Sequence, residues 1–217
     1  MASVVSNDMR AAPPEGLQRV TPEIDTAEAR AAPRFTLLIR AACLVSPQGE
    51  FVCVIRDVSE TGISVRLFHD VPTGKDIELL MPGGHSYPVT LVWEREREAG
   101  YEFKNRVAVE QIIHEAGEYP KRGLRLGLHF PVTLNTISGK YEAIIENVSQ
   151  QGAGFACDQP LLVDQALRIS AEGALDETRA KVRWKRGEQY GVVFDDTLSL
   201  EKFARFAARV QQPSLLD

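Results

Sequence analysis

The sequence has little of what marks membrane proteins, nucleic-acid binders or disulfide scaffolds. No apolar run approaches the roughly 20 residues that a membrane-spanning helix needs, so no membrane span is expected. Basic residues are not in excess: 25 Lys and Arg stand against 30 Asp and Glu, for a net charge of −5 and a pI of about 5.5. A protein that grips a nucleic-acid polymer displaces counterions with surplus positive charge, so this balance argues against one. It leaves room for a local basic pocket that takes one small anion. Cysteine is scarce, with Cys43, Cys53 and Cys157 each inside an apolar, strand-like stretch. An odd count without metal-ligand spacing predicts buried thiols in a reducing, cytoplasmic setting, with neither disulfide nor zinc. The first 29 residues lack an apolar core segment of the secretory kind, so no signal peptide is expected.

Catalytic motifs are missing too. The four histidines, His69, His85, His114 and His129, are scattered, and none neighbours a Ser or Cys nucleophile elbow. No Gly-rich phosphate loop opens a helix. Glu94, Glu96 and Glu98 alternate with Arg95 and Arg97, which reads as a solvated edge and not as an acid/base pair. The expectation is a binding protein, not an enzyme, with no cofactor and no metal.

What is present is an ordinary globular composition, 44% apolar and 25% charged, sufficient for a buried core. Residues 1–29 are rich in Ala, Pro, Glu and Thr and read as a flexible tail. A short helix over Pro22–Ala31, capped by Thr21, is compatible with the pattern. From Arg34 onward the period becomes two. Phe51, Cys53 and Ile55 alternate with Val52, Val54 and Arg56, and Ile63, Val65 and Leu67 alternate with Ser64 and Arg66. These are strands buried on at least one face. Turn signals at Ser46–Gly49, Pro72–Gly74 and Pro82–Gly84 separate them. Short strands at such spacing predict an all-β barrel or sandwich.

The layout then recurs. Arg34 precedes Arg125 by 91 positions, and Asp57-Val58-Ser59-Glu60-Thr61-Gly62 precedes Asn147-Val148-Ser149-Gln150-Gln151-Gly152 by 90. Trp93, Gly100 and Phe103 recur as Trp184, Gly191 and Phe194, again 91 apart, so a residue is lost and regained between the blocks. Two homologous β-domains follow: a tail over 1–29, a first domain over 30–106, a linker over 107–119, and a second domain over 120–217. Val107–Glu118 predicts a short linker helix carrying Val107, Ile112 and Ile113. Ser199–Gln211 predicts a C-terminal helix capped by Ser199, with Leu200, Phe203, Phe206 and Ala207 on one face and Val210 beside it.

One polar constellation stands out. Arg30 and Arg34 precede the first strand on a segment stiffened by Pro33, and Asp57, Ser59 and Gly62 follow at a strand-to-strand turn. Guanidinium forks match phosphate oxygens and the O6/N7 edge of guanine. A carboxylate accepts from guanine N1–H and N2–H, Ser59 can donate to an oxygen, and Gly62 permits a special backbone conformation or a close approach. Alone, Asp-x-Ser-x-x-Gly is an ordinary hairpin sequence making local turn bonds, and Arg30 and Arg34 are ordinary surface arginines. Paired in order around a strand, they fit an anionic guanine nucleotide.

With these residues the chain resembles a tandem pair of PilZ domains, bacterial receptors for the second messenger cyclic di-GMP. The first repeat carries Arg-x-x-x-Arg as Arg30 and Arg34, and Asp/Asn-x-Ser-x-x-Gly as Asp57, Ser59 and Gly62, with a family-like closing strand around Val89, Leu91 and Trp93, then Gly100, Tyr101 and Phe103. The resemblance implies a mainly β protein: two tandem antiparallel six-stranded β-barrels, with the short linker helix and the C-terminal helix. It implies that cyclic di-GMP binds the first domain through those five residues, the arginine arm wrapping over the nucleotide. The second repeat keeps Asn147, Ser149 and Gly152, but the residue four before Arg125 is Lys121, next to Arg122. Lysine keeps the charge and loses the planar fork, so this second site is expected to be weaker or silent. The output would pass through a downstream protein partner. The alternative is a PilZ-fold adaptor that binds protein and no nucleotide; members of that kind generally lack the arginines.

Overall fold

The computed structural model describes residues 35–114 and 123–216. The first block forms β1 (Phe35–Ser46), β2 (Gly49–Val58), β3 (Gly62–Leu67), β4 (Ile77–Leu80), β5 (Ser86–Arg95) and β6 (Glu98–Phe103), followed by helix α1 (Val109–His114). The second forms β7 (Arg125–Leu126), β8 (Phe130–Thr136), β9 (Gly139–Ser149), β10 (Gly152–Ala156), β11 (Ala166–Ala171), β12 (Leu175–Arg186) and β13 (Gln189–Phe194), then helix α2 (Leu200–Gln211) and a 3-10 turn at Pro213–Leu216. In the first barrel the strands run β1-β2-β3-β6-β5-β4 and close on β1. The second repeats that order, β8-β9-β10-β13-β12-β11, with β7 added beside β9. All these pairings are antiparallel, and closure leaves no free sheet edge around either barrel.

Strand registers show where the two repeats slip. Phe35 faces Val58 as Leu126 faces Val148, but Arg40 faces Ile55 as Phe130 faces Ile145. The lost residue therefore falls at the irregularity in the first strand, a bulge in β1 and the β7–β8 break in its counterpart. The regained one lies in the next hairpin, since Ile77 faces Val89 while Leu167 faces Ala180. Both changes sit where the ladder is already interrupted, so neither turns an inward residue outward.

The alternation of β2 has a use on each face. Cys53 and Ile55 join Ala42, Leu44, Ile63, Val65 and Leu79 in the interior of the first barrel. Cys43 and Val52, on the outer face, belong to the apolar cluster of the second barrel. Phe51 packs with Ala208 and Leu215 of the C-terminal segment. The hairpin is thus buried on both sides, which accounts for its nearly unbroken apolar run. The described residues of both barrels form one compact unit.

Helix α2 bridges the two barrels. Ser199 caps it, its Oγ accepting from the Lys202 N–H at 3.2 Å, and Glu201 and Arg209 complement the helix dipole at the two ends. Phe203, Ala204, Phe206 and Ala207 enter the second barrel's cluster, with Phe206 edge-on to Phe130 at 5.5 Å. At its end Gln211 clamps the backbone of Glu50 in the first barrel: Nε2 donates to the Glu50 carbonyl and Oε1 accepts from the Glu50 N–H, each at 2.7 Å. Glu50 in turn accepts from the Gly127 N–H at 2.8 Å.

The linker helix is shorter at its start than its apolar pattern predicts. Val107 stays outside α1 because its N–H donates to the Glu60 carbonyl at 3.0 Å, which holds the chain against the β2–β3 turn. The expected helix over Pro22–Ala31, the tail, and residues 115–122 of the linker lie outside the described residues. No helix among the described residues is long and apolar enough to cross a membrane.

Two substitutions test this arrangement. Phe203→Ala empties a fully buried site and is expected to cost about 3–5 kcal/mol. Gln211→Ala strips the Glu50 backbone of both partners and is expected to cost about 1–3 kcal/mol. Urea unfolding midpoints of the full chain, monitored by circular dichroism, measure both.

Candidate functional site

The Asp57-to-Gly62 segment forms the end of β2, a tight turn and the start of β3. A register shift between Ile55 and Asp57 re-aims the strand, so that Asp57 faces Ser64 across the ladder. The Ser64 hydroxyl donates to Asp57 Oδ2 at 3.0 Å, which fixes one carboxylate oxygen. Ser59 is buried and turned into its own turn. Its N–H donates to the Gly62 carbonyl at 2.8 Å, its Oγ donates to the same carbonyl at 3.2 Å, and the Oγ accepts from the Gly62 N–H at 3.2 Å. The serine shapes the turn before it can offer anything to a ligand. A Cβ on Gly62 would lie 2.9 Å from the Tyr101 carbonyl oxygen. The glycine therefore serves close approach of β6 and not a left-handed backbone.

These residues open onto a groove of about 270 Å³ lined by Asp57, Gly62, Ser64, Trp93, Gly100 and Glu102. Trp93 lies across Gly100, where any Cβ would collide with the indole. The ring is 40% exposed and presents a flat apolar platform to the groove. Glu102 faces Gly62 across the β3–β6 ladder. The groove lining among the described residues thus has two carboxylates and no cation.

The second barrel repeats the site with altered chemistry. Arg125 faces Ser149, whose Oγ donates to the Gly152 carbonyl at 3.2 Å, as in the first turn. Arg125 Nη1 donates to Asn147 Oδ1 at 2.6 Å. Trp184 lies across Gly191 as Trp93 does across Gly100, with the Arg186 guanidinium 5.8 Å from the indole centroid. Gly154 replaces Ser64 and Val193 replaces Glu102, so this face has lost both the hydroxyl and the carboxylate.

The structure therefore gathers Asp57, Ser59 and Gly62 at one groove, and Arg125, Asn147, Ser149 and Gly152 at the corresponding turn of the second barrel. Arg30, Arg34, Lys121 and Arg122 lie outside the described residues. Trp93, Ser64 and Glu102 also line the groove and are not among the site residues the sequence predicts. The recurrence of Trp93–Gly100 as Trp184–Gly191 was the available signal, since a paired bulky ring and missing side chain on adjacent strands mark an open platform.

The remaining reactive groups point inward. Burial pushes the Cys53 thiol up to about 12, and burial, then neighbouring Cys53, pushes Cys43 up as well. All three cysteines are free and buried. Burial likewise raises the Tyr101 phenol above its ordinary range. Among the described residues no three His, Cys, Asp or Glu side chains gather as a metal site.

A family model for the PilZ domain matches residues 28–116 and again residues 120–211. The chain belongs to the PilZ domain family. Solved structures similar to this PilZ protein include PlzA of Borreliella burgdorferi in complex with c-di-GMP, at 14% identity over 86% of this chain and 96% of that one, with a TM-score of 0.35. Another is the MrkH–c-di-GMP complex of K. pneumonia, at 13% identity over 79% and 84%, TM-score 0.30. A third is YcgR of Escherichia coli in complex with c-di-GMP, at 8% identity over 76% and 80%, TM-score 0.31. The search of curated proteins finds no match.

The platform is open to test. Gly100→Ala is expected to lift the Trp93 indole off β6 and to cost about 1–3 kcal/mol through overpacking. In a Trp184→Phe background the emission of the remaining tryptophan should shift, with the unfolding midpoint falling in parallel.

Proposed function

We propose that this PilZ protein is a receptor for cyclic di-GMP and that the first barrel is its main site. The observation that carries the reading is the groove beside Asp57: a carboxylate held by Ser64, a cavity lined by glycines and an exposed indole, all in one place. Asp57 accepts from a guanine edge, Trp93 supplies a stacking surface, and Gly62 lets β6 lie close beside the turn. The described lining carries only negative charge, so a phosphodiester needs cations from elsewhere. Arg30 and Arg34, just ahead of β1, are the residues proposed to bring them, as bidentate partners of guanine and phosphate. Engagement of these two arginines by the ligand would be the signal, read by a downstream protein partner. The protein then acts by binding, without catalysis.

The second barrel is proposed to bind weakly or not at all. Lys121 cannot form the bidentate fork, and the Arg125 guanidinium is already engaged by Asn147.

Isothermal titration of the full chain with cyclic di-GMP tests the reading. Binding at micromolar or tighter affinity is expected, weakened about 5- to 150-fold by Arg34→Ala or by Asp57→Ala, in line with the loss of one good base contact. Arg125→Ala is expected to leave that affinity unchanged. Absence of binding to the unmutated chain, by titration and by a second method, overturns the receptor reading in favour of a protein adaptor.

A further inference from the structure

The seam between the barrels encloses one titratable ring. His69 lies just beyond β3, in a loop fastened to the C-terminal segment on both sides. The Phe68 carbonyl accepts from Arg205 Nη1 at 3.3 Å, and the Asp70 N–H donates to the Leu215 carbonyl at 2.8 Å. The imidazole is fully buried and sits 5.2 Å from the ring of Phe51, which packs on Ala208 and Leu215. Its Nδ1 is 2.7 Å from the Asp70 carbonyl oxygen. A carbonyl only accepts, so Nδ1 carries the hydrogen and Nε2 presents a bare lone pair. Nε2 is buried with no hydrogen-bond partner among the described residues.

We propose that His69 is a proton-sensitive latch: protonation loosens the docking of the first barrel on α2 and the C-terminal turn. A proton on Nε2 would create a buried N–H with no acceptor, inside an apolar seam. Among the described residues, the charged groups facing the ring are Asp70 from its own loop, Arg97 from the β5–β6 turn and Arg205 from α2. Two of the three repel an imidazolium. Burial, the largest influence, lowers the His69 value below its ordinary one; the Asp70 carbonyl and carboxylate oppose this, and both arginines add to it.

The sign follows from linkage. The docked seam holds His69 neutral, whereas an opened seam exposes it with an ordinary value of about 6.5. Below that pH the opened form takes up a proton that the docked form lacks. The ratio of opened to docked molecules then rises by up to about tenfold per pH unit, until the docked histidine itself titrates. Above it the ring is neutral in both forms and the latch is silent. This device does not depend on nucleotide binding.

Cys43 reports on the seam, because it is buried against the second barrel's cluster. In a full-length Cys53→Ala/Cys157→Ala chain, its reaction rate with 4,4′-dithiodipyridine is followed from about pH 7.5 to about pH 5, with and without His69→Gln. The rate ratio of the His69 chain to the Gln chain is expected to rise below about pH 6.5, by up to about tenfold per unit. An equal pH profile in the two chains overturns the latch. The unmutated chain gives a second reading that needs no substitution: imidazole nitrogen NMR. His69 is expected to remain the neutral Nδ1–H tautomer below the ordinary imidazole value of about 6.5. Titration of His69 at or above the ordinary imidazole value of about 6.5 overturns the proposal.

Discussion

The β1–β2 hairpin is asked to serve two cores at once, and the rest of the molecule is arranged around that demand. Its inward residues, Ala42, Leu44, Cys53 and Ile55, fill the first barrel. Its outward residues, Cys43 and Val52, are completed by the second barrel. Over Ala42–Leu44 and Phe51–Cys53 neither face is solvated. A separated first barrel would expose an apolar strip on its most central hairpin, at a cost proportional to the area uncovered. Tandem duplication here is therefore more than two copies on a string: one copy finishes the surface of the other.

Helix α2 makes that dependence specific. Hydrophobic burial sets no register, but Gln211 does, by taking both backbone groups of Glu50 in one amide. The Glu50 carboxylate then reaches Gly127 at the first-strand break of the second barrel. The same hairpin carries Asp57 at its other end. One strand thus runs from the inter-barrel seam to the candidate groove, and both ends are held by polar contacts with defined geometry.

The signature residues have a second meaning in the fold. Ser59 and Ser149 tie their own turns, and Gly62 and Gly152 admit the carbonyl of the neighbouring strand. Both turns would keep these residues if only one barrel bound a ligand. Their recurrence in the second repeat is thereby accounted for by packing alone. What separates the two faces chemically is elsewhere: Ser64 against Gly154, Glu102 against Val193, and an aspartate against an asparagine already bonded to Arg125.

The sequence by itself determined the strand period, the 90- and 91-residue repeat, the Ser199 cap and the Asp57–Gly62 turn, because each is a local pattern or an internal comparison. Only the tertiary structure decided that the β1–β2 run is buried twice, that Trp93 roofs Gly100, that Glu102 enters the groove, and that His69 is sealed in the seam. Each of these depends on which strand or helix lies across from which, and residues far apart in the chain meet there by register and packing that no local period encodes.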